Sequence, residues 1–111
     1  FFFVLLKEKM GRAEAEIFVK EQIDSNFIVV FSKTYCPYCT MAKKALDDVN
    51  ATYTVLELEN RDDCQDIQDV LMDMTGARTV PRVFINRKFI GGGTDLKMLQ
   101  ENGELKELVK S

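Results

Sequence analysis

Residues 27–39 read FIVVFSKTYCPYC, and this stretch decides the fold. The run from Phe27 to Phe31 is apolar without interruption, which predicts a strand buried on both faces, as parallel strands are. Two cysteines, Cys36 and Cys39, follow within a few positions, and apolar residues then recur at helical spacing over residues 41–49. The stretch therefore predicts a buried strand that leads through a thiol pair into an amphipathic helix.

The position of the thiol pair at the start of a helix indicates its chemistry. The first backbone N–H groups of a helix lack intrahelical acceptors, and together with the helix dipole they favour a thiolate over a thiol. Pro37 fits the first turn, where a missing N–H costs nothing, and Lys33 adds a positive charge nearby in sequence. We therefore predict that Cys36 is the nucleophile and that Cys39, one turn further on, is the resolving thiol.

Helices and strands alternate through the rest of the chain. Apolar spacing predicts a first helix over residues 12–25 and another over residues 64–75, with Gly76 as its C-cap. Residues 52–58 alternate as a second strand, and residues 83–90 contain two short strands that indicate a hairpin. Each strand of the first half is thus followed by a helix, which is the order of a parallel sheet.

A closing helical region completes the prediction. Thr94 is expected to cap it after three glycines, and Leu108 is expected on its buried side, as Met74 is on the helix before the hairpin. The order predicts an α/β fold with a four-stranded mixed sheet, formed by two parallel strands plus a C-terminal β-hairpin, with helices on both faces.

The composition is that of a single globular domain. The chain has 111 residues, of which 46% are hydrophobic and 30% charged, far from the signature of a disordered protein. Fifteen basic residues against eighteen acidic ones give a net charge of -3, and no Lys/Arg-rich stretch is present. Nucleic acid is therefore not an expected partner.

The first ten residues are interpreted separately. Residues 1–6 read FFFVLL, which is too short for a membrane span or a signal-peptide core, and charged residues follow directly. Residues 1–10 are expected to be an N-terminal extension, either native or introduced, ahead of a domain at residues 11–111. No membrane partner is expected.

Any reaction must use thiols, because the chain has three cysteines and no histidine. This composition excludes Ser-His and Cys-His catalysis and a Cys2His2 zinc site. Half of a structural zinc site is the plain alternative for the Cys36 and Cys39 pair, but no second CxxC motif is present, so no metal is expected. Cys64 lies on an apolar stripe and is expected to be buried and inert. An odd, clustered set of cysteines indicates a reduced intracellular protein.

Three motifs taken together resemble a dithiol glutaredoxin of the thioredoxin-like fold. They are KTYCPYC at residues 33–39, TVP at residues 79–81 and GGGTDL at residues 91–96, within a resemblance that covers about residues 15–109. Thioredoxins usually carry Trp-Cys-Gly-Pro-Cys, so Tyr35 and Tyr38 favour the glutathione-dependent branch. The resemblance implies residues 11–111 as a glutaredoxin domain.

The resemblance also implies a glutathione site. It implies a cis Val80-Pro81 bond, with the Val80 backbone pairing with the glutathione cysteine as a short strand edge. The N–H groups of Thr94 and Asp95 would bind the γ-glutamyl carboxylate, unless these residues serve only as helix cap and first-turn acid. The implied glutathione-binding set is Lys33, Tyr38, Gln68, Arg78, Thr79, Val80, Pro81, Gly92, Gly93, Thr94 and Asp95. Lys33, Gln68 and Arg78 are candidates for the glycine-end carboxylate, with solvated surface residues as the alternative.

The implied activity is glutathione-dependent thiol-disulfide exchange. Its expected partners are glutathione as co-substrate, glutathionylated or disulfide-bonded proteins, and glutathione reductase indirectly through glutathione. The alternatives are a module that binds an iron-sulfur cluster through Cys36 and glutathione, against which Pro37 argues, and a thioredoxin-type reductant. A monomer in the cytosol is expected, with mitochondria as the alternative compartment.

Overall fold

The computed structural model describes residues 2–111, with side chains from residue 11 onward. The helices of the described part are α1 (Phe2–Ser25), α2 (Pro37–Asp48), α3 (Cys64–Thr75), α4 (Gly93–Glu101) and α5 (Glu104–Leu108). Its strands are β1 (Ile28–Ser32), β2 (Thr54–Glu57), β3 (Arg82–Ile85) and β4 (Lys88–Gly91). Each element that the sequence predicts is present, and the strand bounds agree within two residues.

The four strands form one mixed sheet in the order β2-β1-β3-β4. Strands β1 and β2 run parallel, while β3 pairs antiparallel with both β1 and β4. Every residue of β1 is buried, as its unbroken apolar run predicts. The predicted fold class, with its parallel pair and C-terminal hairpin, is confirmed.

Helices cover both faces of the sheet because alternate residues of the strands point to opposite sides. Val29 and Phe31 belong to a core shared with residues of α1 and α3. Val30 and Val83 belong to a second core, which α2, α4 and α5 complete. The sheet is thus buried between two helical layers, which holds its strand ends in fixed positions.

The pairing of the strands brings two loops and the N-terminus of a helix together at one end of the strands. Phe31 near the end of β1 is paired with Arg82 at the start of β3, and Val83 is paired with Gly91 at the end of β4. The loop after β1, the loop before β3 and the N-terminus of α4 therefore meet. The first of these loops carries the thiol pair.

Helix α1 begins earlier than the spacing predicts, at Phe2 rather than at residue 12. Residues 2–10 contain Leu, Lys, Glu and Met, which favour helix, and no proline interrupts them. The side chains of residues 1–10 lie outside the described part of the chain. The division into an extension and a domain at residue 11 stays a prediction. Within the described residues, no helix combines the length and the apolar character that a membrane crossing needs.

Three details of the helix predictions are wrong. Helix α4 has Gly92 rather than Thr94 as its N-cap, and the Asp95 carboxylate accepts the Gly92 N–H at 2.9 Å. A glycine cap has no side chain that a sequence pattern could reveal. Met74 and Leu108 are 42% and 38% exposed because they lie within the last two residues of their helices, where packing neighbours are present on one side only.

Candidate active site

Cys36 is the N-cap residue of α2, as the sequence predicts. Its backbone is extended, with φ -93° and ψ 118°, and Pro37 occupies the first helical position. The Cys36 N–H donates to the Lys33 carbonyl at 3.2 Å, which closes the turn between β1 and the helix. The Cys36 side chain is half-buried, so its sulfur is placed at the positive end of a helix and within reach of a substrate.

Cys39 lies one turn into α2 and is fully buried. Its backbone N–H donates to the Cys36 Sγ at 3.3 Å, and its own Sγ accepts the Lys33 N–H at 3.4 Å. Burial raises the pKa of the Cys39 thiol to about 11. The two thiols are unbridged and have different environments, one accessible and the other enclosed in its protonated form.

The difference between the two thiols predicts selective alkylation. At pH 7 iodoacetamide is expected to modify Cys36 but not Cys39, because a raised pKa leaves little Cys39 thiolate and burial denies access. The rate at Cys39 should rise about tenfold per pH unit up to pH 11, since the thiolate fraction does so. Peptide mass mapping between pH 6 and 10 measures both rates. Equal rates in the folded chain would contradict the prediction; equal rates in urea are the control.

The loop before β3 faces the thiols. The Val80-Pro81 bond is cis, as the resemblance implies. The Cys36 thiol donates to the Val80 carbonyl, with 3.6 Å between sulfur and oxygen. The backbone of Val80 is therefore next to the reactive sulfur.

A cavity of about 400 Å³ opens beside this loop. The loop before β3 forms one wall and the N-terminus of α4 forms another. Its lining contains all the predicted glutathione residues except Lys33, Gln68 and Arg78, namely Tyr38, Thr79, Val80, Pro81, Gly92, Gly93, Thr94 and Asp95. Tyr38 is 55% exposed, so its ring is available to a ligand in this cavity.

The three remaining predicted residues lie outside the cavity lining. Lys33 is half-buried beside the thiols, and its ammonium makes no ion pair with the residues from 11 to 111. Gln68 is buried, and its Nε2 donates to the Arg78 carbonyl at 2.8 Å, so the surface alternative is wrong for Gln68. The Arg78 guanidinium pairs with Asp69 at 3.1 Å.

Cys64 is buried on the stripe where the sequence places it. It is 9% exposed, and its thiol donates to Gln68 Oε1 at 3.3 Å. This contact explains why an amide is found in the core, because the buried Gln68 has partners for both its oxygen and its nitrogen.

Two residues of the site were missed by the sequence analysis. The Glu59 carboxylate accepts the Thr34 N–H at 2.9 Å and also the Thr34 hydroxyl, so it holds the turn that precedes Cys36. These hydrogen bonds lower the Glu59 pKa. Arg82 lines the cavity directly after the cis proline. Strand alternation would have placed Arg82 on the same face as Phe84, but no local pattern distinguishes Glu59 from the other acids near it.

Comparison with known proteins agrees with this geometry. A family model described as glutaredoxin matches residues 28–90, which include both thiols and the cis proline. Human mitochondrial glutaredoxin-2 is 50% identical over 91 residues, covering 82% of this chain and 56% of the human protein. The chain therefore spans a little over half the length of these mammalian relatives.

Solved structures share the whole fold. Oxidised glutaredoxin 2 from Chlamydomonas reinhardtii is 53% identical with a TM-score of 0.84, covering 87% of this chain and 92% of that chain. A buckwheat glutaredoxin-glutathione complex is 39% identical with a TM-score of 0.85, covering 90% of this chain and 91% of that chain. Both similarities extend over about nine-tenths of the compared chains.

Proposed function

The chain belongs to the glutaredoxin family, and from this membership we propose that it is a glutathione-dependent thiol-disulfide oxidoreductase. The proposal depends chiefly on one observation, a half-exposed N-cap thiol at Cys36 whose sulfur accepts the N–H of the buried Cys39. An N-terminal helix position favours the thiolate, which is the attacking form in disulfide exchange. The family is consistent with a thiol-disulfide oxidoreductase.

We propose that the first reaction needs Cys36 alone. The Cys36 thiolate attacks the glutathione sulfur of a protein-glutathione mixed disulfide, and the protein leaves as its thiolate. A second glutathione thiolate then attacks the glutathione sulfur bound to Cys36. This step forms glutathione disulfide and restores the Cys36 thiolate, so each mixed disulfide consumes one free glutathione, and the second half of the glutathione disulfide comes from the mixed disulfide itself.

The second reaction, on protein disulfides, needs both thiols. Cys36 attacks one sulfur of the substrate disulfide and remains joined to the protein, while the other substrate sulfur leaves. Cys39 then loses its proton and attacks Cys36, which releases the reduced substrate and leaves a Cys36-Cys39 disulfide. Two glutathiones reduce that disulfide. Because burial raises the Cys39 pKa to about 11, this resolving step should accelerate as pH rises from 7 towards 11.

The cavity beside Cys36 supports glutathione as the recognised part of the substrate. Its Val80 backbone is close to the reactive sulfur, and the α4 N-terminus is available to a carboxylate. Lys33, without an ion pair among residues 11–111, is available to the second carboxylate of the tripeptide. Recognition of glutathione rather than of its carrier would allow many glutathionylated proteins as substrates.

The compartment is proposed from the relatives. Five mammalian relatives are named as mitochondrial, so mitochondria are a candidate location for this chain beside the cytosol that is expected by default. Glutathione reductase would act as an indirect partner in either location by regenerating glutathione.

One assay tests the proposed function. A glutathionylated carrier protein is incubated with the chain, glutathione, NADPH and glutathione reductase, and NADPH loss is measured. We expect turnover that requires both the chain and glutathione. No turnover would refute the proposal, and so would equal reduction by thioredoxin reductase without glutathione, which would indicate a thioredoxin-type reductant.

A further inference from the structure

Arg82 is a half-buried cation beside the proposed substrate cavity. Its Nε donates to the Pro81 carbonyl at 3.1 Å, Nη2 to the Thr79 hydroxyl at 3.2 Å and Nη1 to the Thr75 hydroxyl at 3.5 Å. These acceptors are all neutral. No carboxylate lies within 4.0 Å of the guanidinium among residues 11–111.

Burial without a counter-ion is costly for a charged group. The cost is visible in the pKa of Arg82, which burial lowers. The negative charge of the more distant Asp95 opposes this lowering only in part. An arginine with this environment gains most from a ligand that brings a carboxylate to it. The guanidinium fork also matches the two oxygens of a carboxylate geometrically.

The guanidinium is also held beside the cavity. Its central carbon lies 5.0 Å from the centre of the Phe89 ring, which holds the planar group from one side. Arg82 lines the cavity, and its Nη2 lies 3.5 Å from the position that a Cβ atom on Gly92 would occupy. The cation therefore sits next to the N-cap of α4.

Asp95 lines the same end of the cavity with the opposite charge. A ligand group that carries both a carboxylate and an ammonium on one carbon complements this pair. Glutathione has such a group at its γ-glutamyl end and lacks one at its glycine end.

We propose that Arg82 binds the α-carboxylate of the γ-glutamyl residue and thereby sets the preference for glutathione over thiols that lack this residue. The proposal rests on the proposed function. A charge-assisted hydrogen bond of this kind should change the rate by about tenfold to hundredfold. The competing role for Arg82 is structural, in which its hydrogen bonds to Thr75 and Thr79 only hold the loop before β3 against the end of α3.

The test compares three mixed disulfides on one fluorescent peptide, formed with glutathione, γ-glutamylcysteine or cysteinylglycine. Reduced enzyme in excess reacts with each in a single turnover, and the release of the peptide thiol gives a second-order rate constant. Arg82→Met should lower this constant about tenfold to hundredfold for the two γ-glutamyl substrates but less than about twofold for cysteinylglycine. Arg82→Lys should restore part of the loss.

Arg12→Met is the matched control, because Arg12 is an exposed arginine that pairs with Asp73 on α3. An equal loss for all three substrates in Arg82→Met would overturn the proposal in favour of the structural role, and no loss for any would overturn it outright. Native enzyme without a preference for glutathione over cysteinylglycine would also overturn the proposal, whereas native enzyme that releases no peptide thiol from any of the three substrates would contradict the proposed function. The two failures are therefore distinguishable.

Discussion

Cys36→Ser is expected to reduce glutathione-dependent removal of glutathione from a carrier protein to the rate without enzyme. Serine keeps the N-cap position but has no thiolate, and exchange begins with thiolate attack. Cys39→Ser should retain this reaction within about threefold, because the one-thiol cycle needs a single sulfur. The same variant should lose the reduction of protein disulfides, which requires a resolving thiol. Measuring both activities, the removal of glutathione and the reduction of protein disulfides, therefore separates the role of the nucleophile Cys36 from that of the resolving Cys39.

Cys64→Ser is the matched control for both variants. Cys64 is 9% exposed and donates its thiol to Gln68, and a serine hydroxyl can donate to the same amide oxygen. Both activities should be close to those of the native chain. Activity retained in Cys36→Ser, with circular dichroism unchanged, would refute the assignment of Cys36 as the nucleophile. If Cys39→Ser also lost the first reaction, the one-thiol cycle would be wrong.

The placement of Cys36 could be predicted because it depends on local sequence. A buried apolar run, a proline at a first helical position and an amphipathic stripe occur within residues 27–49, and each signal is independent of distant residues. The observed N-cap position of Cys36 and the placement of Cys39 one turn later in α2 follow from these signals. A single sequence is thus enough to predict the features of a site that depend on residues close together in the chain.

Arg82 and Glu59 could not be predicted in the same way. The environment of Arg82 depends on the pairing of β1 with β3 and on the closeness of the α4 N-terminus, both of which are tertiary features. Glu59 acts on Thr34, 25 residues earlier, through contact between two loops. The Thr94 error has another cause, because a helix that begins in a run of glycines lacks the side chain that normally marks a cap.

The neighbouring glycines at the start of α4 differ in what they tolerate. A Cβ atom on Gly93 would overlap the Tyr38 carbonyl oxygen and lie 3.1 Å from the Tyr38 Cα. The overlap is with the backbone of α2, which cannot move aside as a flexible side chain would. A Cβ atom on Gly92 would instead lie 3.5 Å from the Pro81 carbonyl oxygen, an ordinary contact, and Gly92 has φ -98°, which any residue adopts.

Gly93→Ala is therefore expected to destabilise the fold and the site together, whereas Gly92→Ala should keep the fold. We expect Gly93→Ala to lower the free energy of unfolding by about 1–3 kcal/mol, because overpacking of a close contact costs this much. It should also reduce activity, since relief of the overlap displaces α4 from the turn of α2 that carries Tyr38 and Cys39. Urea unfolding and the glutathione-dependent assay measure the two effects.

Gly92→Ala separates packing from ligand binding. Its methyl group would enter the cavity beside Arg82, so KM for the glutathionylated substrate should rise while the free energy of unfolding stays within about 0.5 kcal/mol of the native value. Equal stability of Gly93→Ala and the native chain would show that α2 and α4 do not approach as closely as the structure has them. The close contact between α2 and α4 is thus expected to require glycine at residue 93. At residue 92 we expect glycine to be required because the substrate needs the space that a side chain would fill.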